Sequence, residues 1–253
     1  MVLKIKAMKK KILAEDIKAL LKLFAPDKYS LSIFDPFLKL DTAEGLGGEF
    51  MNQEHKVLVN LGNEIVRYKQ YDLNEFDLIL NFGTCKTDHL YTEKIRYKSN
   101  KNGGMKWLFK PQNLKHVLTT YSANNLRSKV LKKGVETMCA LRLGKLFSTG
   151  TLEIRSNNEM PFQQFASSMD EAVVFMGTPG LQRKLTLAQF KGKEVTDFVK
   201  IPMNLFGEKN NVNEAKILGK LKEFSFESFV YPDQISLENA CLKQNNHTSF
   251  KSQ

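Results

Sequence analysis

No stretch of this chain approaches the roughly 18 consecutive apolar residues that a spanning helix requires. The opening Lys9-Lys10-Lys11 runs into Ile12 and Leu13 and then at once into Glu15-Asp16, which leaves no room for the apolar centre of a secretory leader. Neither a membrane span nor a secreted precursor is expected. Cysteine is sparse: Cys85, Cys139 and Cys241 are scattered and lack CxxC spacing or a nearby His partner, so neither a disulfide framework nor a zinc site is indicated. A reducing, cytoplasmic setting is the default expectation. His55, His89, His116 and His247 lie far apart, and Asp88-His89 has no Ser or Cys in a context that would make a nucleophile and base. Internal repeats and long low-complexity tracts are also lacking, which removes solenoid folds.

What remains is an ordinary globular balance over 253 residues, 42% hydrophobic and 26% charged, enough for one large or two small cores. The net charge of +11 is unevenly spread. Residues 29–90 are acidic overall, whereas residues 91–133 hold 11 Lys/Arg against the single Glu93. That basic stretch interleaves Lys94, Arg96, Lys98, Lys106 and Lys110 with Tyr91, Tyr97, Trp107, Phe109 and Tyr121. Cations beside aromatic faces suit nucleic acid or another polyanion, the former neutralising phosphates and the latter stacking on bases. A solvated basic face whose aromatics turn into the core explains the same pattern.

Apolar residues at helical spacing from Ile12 to Phe24 predict a first helix stopped by Pro26. Lys56–Leu61, Phe76–Phe82 and Tyr91–Lys98 read as strands, and Lys101-Asn102-Gly103-Gly104 as a hairpin turn into Met105–Phe109. Leu114–Leu146 has a helical pattern, while polar Arg155–Gln164 with Pro161 reads as a linker.

Beyond it, Ala172–Met176 and Arg183–Phe190 predict two strands joined by the tight turn Gly177-Thr178-Pro179-Gly180. Val195–Ile201 is a third strand carrying Lys200, and a polar loop through Asn210-Asn211 leads to a helix over Asn213–Phe224. On that helix Ile217, Leu218, Leu221 and Phe224 form the expected buried stripe, with Glu214 one turn earlier on the same face. A carboxylate aimed at the core side needs a partner, and Lys200 is the natural one.

This order resembles the small N-terminal lobe of kinase-fold phosphotransferases, in particular the bacterial group similar to aminoglycoside phosphotransferases and choline kinases. The residues behind it are Val173-Val174-Phe175-Met176-Gly177-Thr178-Pro179-Gly180, Arg183-Lys184-Leu185-Thr186-Leu187, Phe198-Val199-Lys200-Ile201 and Asn213-Glu214-Ala215-Lys216-Ile217-Leu218. The resemblance implies that Gly177 and Gly180 cover a nucleotide, that Lys200 meets its phosphates and that Glu214 holds Lys200, with ATP and Mg as cofactor. It spans about a quarter of the chain. The turn is shorter than a full GxGxxG loop, and Pro179 removes one backbone donor. After Pro232 there is no His-x-Asp…Asn catalytic loop and no later metal-binding Asp.

The expectation is thus an α+β chain in three parts. Residues 1–160 form a basic mixed helix and strand region, 165–232 an antiparallel sheet plus helix resembling a kinase N-lobe, and 233–253 a polar tail. Functionally it is a truncated kinase-like protein without the catalytic C-terminal lobe, able at most to bind nucleotide unless a second chain or domain supplies that lobe. The resemblance points to carbohydrate or cell-surface glycan metabolism. The alternative is a non-enzymatic nucleic-acid or polyanion binder acting through residues 91–133.

Overall fold

The computed structural model describes residues 14–35, 39–42, 55–62, 72–83, 89–117, 126–141, 143–178, 180–192, 194–223, 232 and 234–245. It is an α+β fold built on one large mixed sheet. The strands are β1 (Tyr29–Asp35), β2 (Lys39–Thr42), β3 (His55–Asn60), β4 (Leu78–Asn81), β5 (Tyr91–Ser99), β6 (Met105–Phe109), β7 (Gly150–Ser156), β8 (Ala172–Phe175), β9 (Lys184–Lys191), β10 (Glu194–Pro202), β11 (Ile235–Glu238) and β12 (Cys241–Asn245). Their order across the sheet is β11-β12-β10-β9-β8-β6-β5-β7-β4-β3-β1-β2. Only β1 with β3 and β3 with β4 run parallel among the paired neighbours.

Alternating side chains feed two cores on opposite faces of the sheet, as the period of two requires. Val174, Leu187, Ile95 and Ile154 face one core, which helix α1 (Ala14–Phe24) covers with Ile17, Leu20 and Phe24. Their neighbours Val173 and Ala188, with Trp107, Phe109 and Phe190, face the other. That second core is covered by α2 (Leu114–Val117), α3 (Leu126–Ala140) and α4 (Gly144–Phe147), which supply Leu114, Val117, Val135 and Phe147. The helical pattern seen from Leu114 to Leu146 therefore resolves into several pieces, with residues 118–125 outside the described residues. Val130 and Leu141, expected as apolar positions of one long helix, are exposed.

Three expectations need correcting. Arg155–Gln164 is no linker: β7 continues through Ser156, and Pro161–Gln164 forms a short 3-10 helix that buries Phe162 against the ring of Phe24 at 5.6 Å. An aromatic in a polar segment outweighed the loop signals around it, because burying a Phe side chain is worth about 2 kcal/mol.

Residues 235–245 do not behave as a polar tail either. β11 and β12 make a hairpin whose two-residue turn, Asn239-Ala240, has both φ values positive, at 47° and 59°. This is the geometry that joins twisted antiparallel strands most tightly. Leu242, fully buried, anchors the hairpin against β10.

The last helix, α5, runs from Leu205 to Glu223 and not from Asn213. Asn204 caps it, accepting a hydrogen bond on Oδ1 from the Gly207 N–H at 3.0 Å. Asn210 and Asn211 thus lie inside the helix. The expected apolar stripe is not buried: Ile217 is 57% exposed, and the residues of α5 that are buried are Gly207 and Asn211. Among the described residues no helix is long and apolar enough to cross a membrane.

Candidate functional site

β8, β9 and β10 form an antiparallel meander, and β12 and β11 extend it beyond β10. Lys200 sits on β10 opposite Thr186 of β9, so both project to one face, and Lys184, two residues before Thr186, shares that face. α5 packs there with a polar side. Asn211, fully buried, donates from Nδ2 to the carbonyls of Lys200 at 2.8 Å and Ala240 at 2.9 Å. One amide therefore ties helix, lysine strand and hairpin turn together. Gly207 allows the approach, since a Cβ there would lie 3.1 Å from Pro202 Cβ and 3.3 Å from the Arg183 carbonyl oxygen.

Two positions after Asn211's neighbour Val212, Glu214 meets the lysines. Its Oε1 accepts from Lys200 Nζ and, at 3.2 Å, from Gln244 Nε2 of β12. Its Oε2 accepts from Lys184 Nζ at 2.9 Å. The Lys200 partnership drawn from the sequence is thus present in the structure, with a second lysine alongside it. Partial burial raises the cost of the charged carboxylate, but the hydrogen bonds from Lys200 and Lys184 outweigh it and hold Glu214 below the ordinary range.

The glycine turn lies beside this cluster. Gly177 has φ +69°, and a Cβ on it would run into the Lys184 carbonyl oxygen, so the position demands glycine twice over. Gly180 has φ +140°; Pro179 lies outside the described residues. The turn is held from below by Arg183, whose N–H donates to the Gly180 carbonyl at 3.0 Å and whose Nε donates to the Met176 carbonyl at 2.9 Å. The same guanidinium reaches α1, with Nη2 on Asp16 Oδ1 at 2.7 Å and Nη1 on the Glu15 carbonyl at 2.9 Å. Asp16 Oδ2 accepts from the Met105 N–H at 2.9 Å. Asp16 is fully buried and Arg183 is 4% exposed, so this pair is a structural clasp between α1 and the base of the turn.

A depression of about 390 Å³ opens next to the cluster, lined by Gln182, Lys184, Asn210, Asn213, Glu214, Ile217 and Leu218. Its polar lining residues are one lysine, one glutamate and three amide-bearing residues, whose side-chain types include donors for anionic oxygens. It does not offer a metal its ligands. Glu214 is already engaged by two lysines, and no group of three or more His, Cys, Asp or Glu is placed to hold a metal among the described residues.

The residues of the basic stretch scatter. Trp107 is 6% exposed and packs against Phe147 and Phe175 at 6.2 and 6.1 Å, so its ring is part of a core and not a stacking platform. Lys110 is bound to Asp170 at 2.7 Å and Glu93 at 2.9 Å. Burial opposes its charge, yet those two carboxylates raise its pKa overall. Lys106 lies over the Trp107 ring at 4.3 Å and Lys98 over Phe147 at 5.0 Å. Lys94, Arg96 and Lys98 alternate along one face of β5, with Lys94 exposed and the other two half-buried.

Sequence reasoning missed Lys184, Asn211, Gln244 and the Asp16–Arg183 clasp. The signal for Lys184 was available in the strand alternation that puts it on the face of Thr186. For the clasp, 167 residues separate the partners and no local pattern links them. Cys85 and Tyr121 lie outside the described residues. Comparison with protein-family models, with curated proteins and with solved structures finds no match for this chain.

Proposed function

We propose that residues 172–245 form the phosphate-facing half of a nucleotide site in an incomplete kinase-like, phosphotransferase-related protein. In this reading Lys200 and the Gly177–Gly180 turn meet the phosphates of ATP, and Glu214 fixes Lys200. A second chain or domain carries the groups that would activate an acceptor and hold Mg, since the described donors fit phosphate oxygens and not the metal. A sugar or small alcohol of glycan metabolism is the acceptor class that goes with the reading.

The observation that supports it is the ion pair between a lysine on the third strand of an antiparallel meander and a glutamate on the helix that follows, beside a positive-φ glycine turn. Phosphoryl transfer relies on such a pair to aim a cation at the phosphates. The test is calorimetric titration of Mg·ATP into the wild-type chain and Lys200→Ala. Saturable binding that is lost in the variant supports the reading; equal binding, or none in either protein, removes it.

A second reading is a non-enzymatic binder of nucleic acid or another polyanion. Lys94, Arg96 and Lys98 in a row on one face of β5 favour it, while the burial of Trp107 and the engagement of Lys110 narrow it to those three cations and Lys106. Heparin retention that falls steeply with salt, and falls further on reversing Lys94 and Arg96 to Glu, is the expected result for this alternative.

A further inference from the structure

The carboxylate of Glu214 is shared. Lys200 and Gln244 hold Oε1, and Lys184 holds Oε2 at 2.9 Å from the neighbouring strand. Charge counting separates what one lysine and two lysines can do. A lone Lys–Glu pair is neutral and attracts an anion only through its dipole. Two ammoniums about one carboxylate leave a net positive charge, and each can turn a remaining N–H outward without leaving Glu214 unpaired.

The side chain of Lys184 is the more open of the two, 30% exposed against 20% for Lys200. Lys184 lines the depression, together with the amides of Gln182, Asn210 and Asn213, whereas Lys200 is not among its lining residues. Gln182 comes from the end of the glycine turn and the two asparagines from α5, so residues of two further elements line the depression beside Lys184.

Resting on the nucleotide reading above, we propose that Lys184 is a second phosphate-contacting cation of this site. It would hold Glu214 on Oε2 while Lys200 turns toward the ligand, and it would itself meet the outer oxygens of a phosphate chain. The ligand class is a polyphosphate chain of two or more phosphoryl groups, because two cations on adjacent strands give a single phosphate no advantage that a chain would not exceed. The three amides complete the reach toward the terminal oxygens.

The experiment uses the full chain with Mg·ATP and, separately, inorganic tripolyphosphate and inorganic phosphate as probes, titrated by calorimetry. The variants are Lys184→Met, Lys184→Arg and Lys200→Ala, each checked for an unchanged far-ultraviolet spectrum and melting profile. Lys184→Met is expected to weaken both polyphosphate probes by about tenfold or more, as loss of a charge-assisted contact should. Lys184→Arg, which keeps the charge, should restore binding to within about threefold of wild type. A strand lysine with a merely structural role would not separate these two variants in ligand affinity once both are folded.

If Lys200→Ala loses ATP while Lys184→Met binds as tightly as wild type, the proposal falls and the nucleotide reading stands. Should both variants bind as well as wild type, or nothing bind at all, the two fall together. Inorganic phosphate binding as tightly as tripolyphosphate would overturn the assignment to a chain of phosphates. Where Lys184→Met proves unstable, Lys184→Gln repeats the measurement with a side chain that still donates to Glu214 but carries no charge.

Discussion

At the scale of single residues, burial decides which charges matter. Asp16 and Arg183 are removed from water together, and every polar atom of the Asp16 carboxylate has a partner. Lys56 and Glu75 also pair, at 3.4 Å, but their side chains are 58% and 62% exposed. The two pairs should differ widely in worth. Asp16→Ala takes the acceptor from Arg183 Nη2 and from the Met105 N–H and leaves the buried guanidinium without its buried counter-ion, and breaking a buried pair in this way costs about 3–5 kcal/mol. Lys56→Ala should change stability by no more than about 0.5 kcal/mol. Urea denaturation of both variants checks this; similar losses would mean that the clasp is not the tie it is described as. Because Arg183 also carries the base of the glycine turn, the proposed nucleotide site entails weaker Mg·ATP binding by the Asp16 variant, for want of a fixed turn.

Secondary-structure elements show where sequence reasoning held and where physics hid the answer. The meander and its lysine were readable, since β8 is apolar throughout, β9 and β10 alternate apolar with polar residues, and glycine turns separate the closely spaced strands. The start of α5 was not. Exposed Leu205 and Phe206 follow a cap made by one asparagine, and the face that meets the sheet is Gly207, Asn211 and Glu214, polar or small at every position. A helix whose contact side is amide and carboxylate has no apolar period to detect. The hairpin of β11 and β12 was hidden for a related reason: its alternation is weak, and its turn is Asn-Ala where Asn-Gly would have announced it. That substitution can be tested. Ala240 occupies φ 59°, which costs an L-residue about 1 kcal/mol that glycine does not incur. Ala240→Gly is therefore expected to stabilise the chain by up to about 1 kcal/mol, less the extra freedom glycine gives the unfolded state. A lower denaturation midpoint would show that the turn carries less strain than glycine's added freedom costs.

For the whole molecule the question is whether the N-terminal region and the lysine-bearing module fold as one. The sheet crosses the expected boundary near residue 160 through β6 and β8, which pair at Trp107 with Phe175 and Leu108 with Val174. This seam is short beside the pairing of β9 with β10, which runs from Glu194 to Pro202. Side chains reinforce it from both faces. The core under α1 extends without interruption from Ile17 and Phe24 to Leu187 and Ile201, and the opposite core joins Phe109 and Phe147 to Phe190 and Val195. The Asp16–Arg183 clasp crosses the seam as well. Separating the halves would expose both cores, so partial unfolding at the seam has little to recommend it over complete unfolding. Trp107 is the sole tryptophan and stands on the seam between Phe147 and Phe175. Its fluorescence reports the junction, while far-ultraviolet circular dichroism reports the whole sheet. The two urea transitions are expected to coincide in midpoint and slope. A tryptophan transition that came first, followed by loss of the remaining strands, would show that the lysine-bearing unit folds by itself and only docks on the N-terminal region through α1.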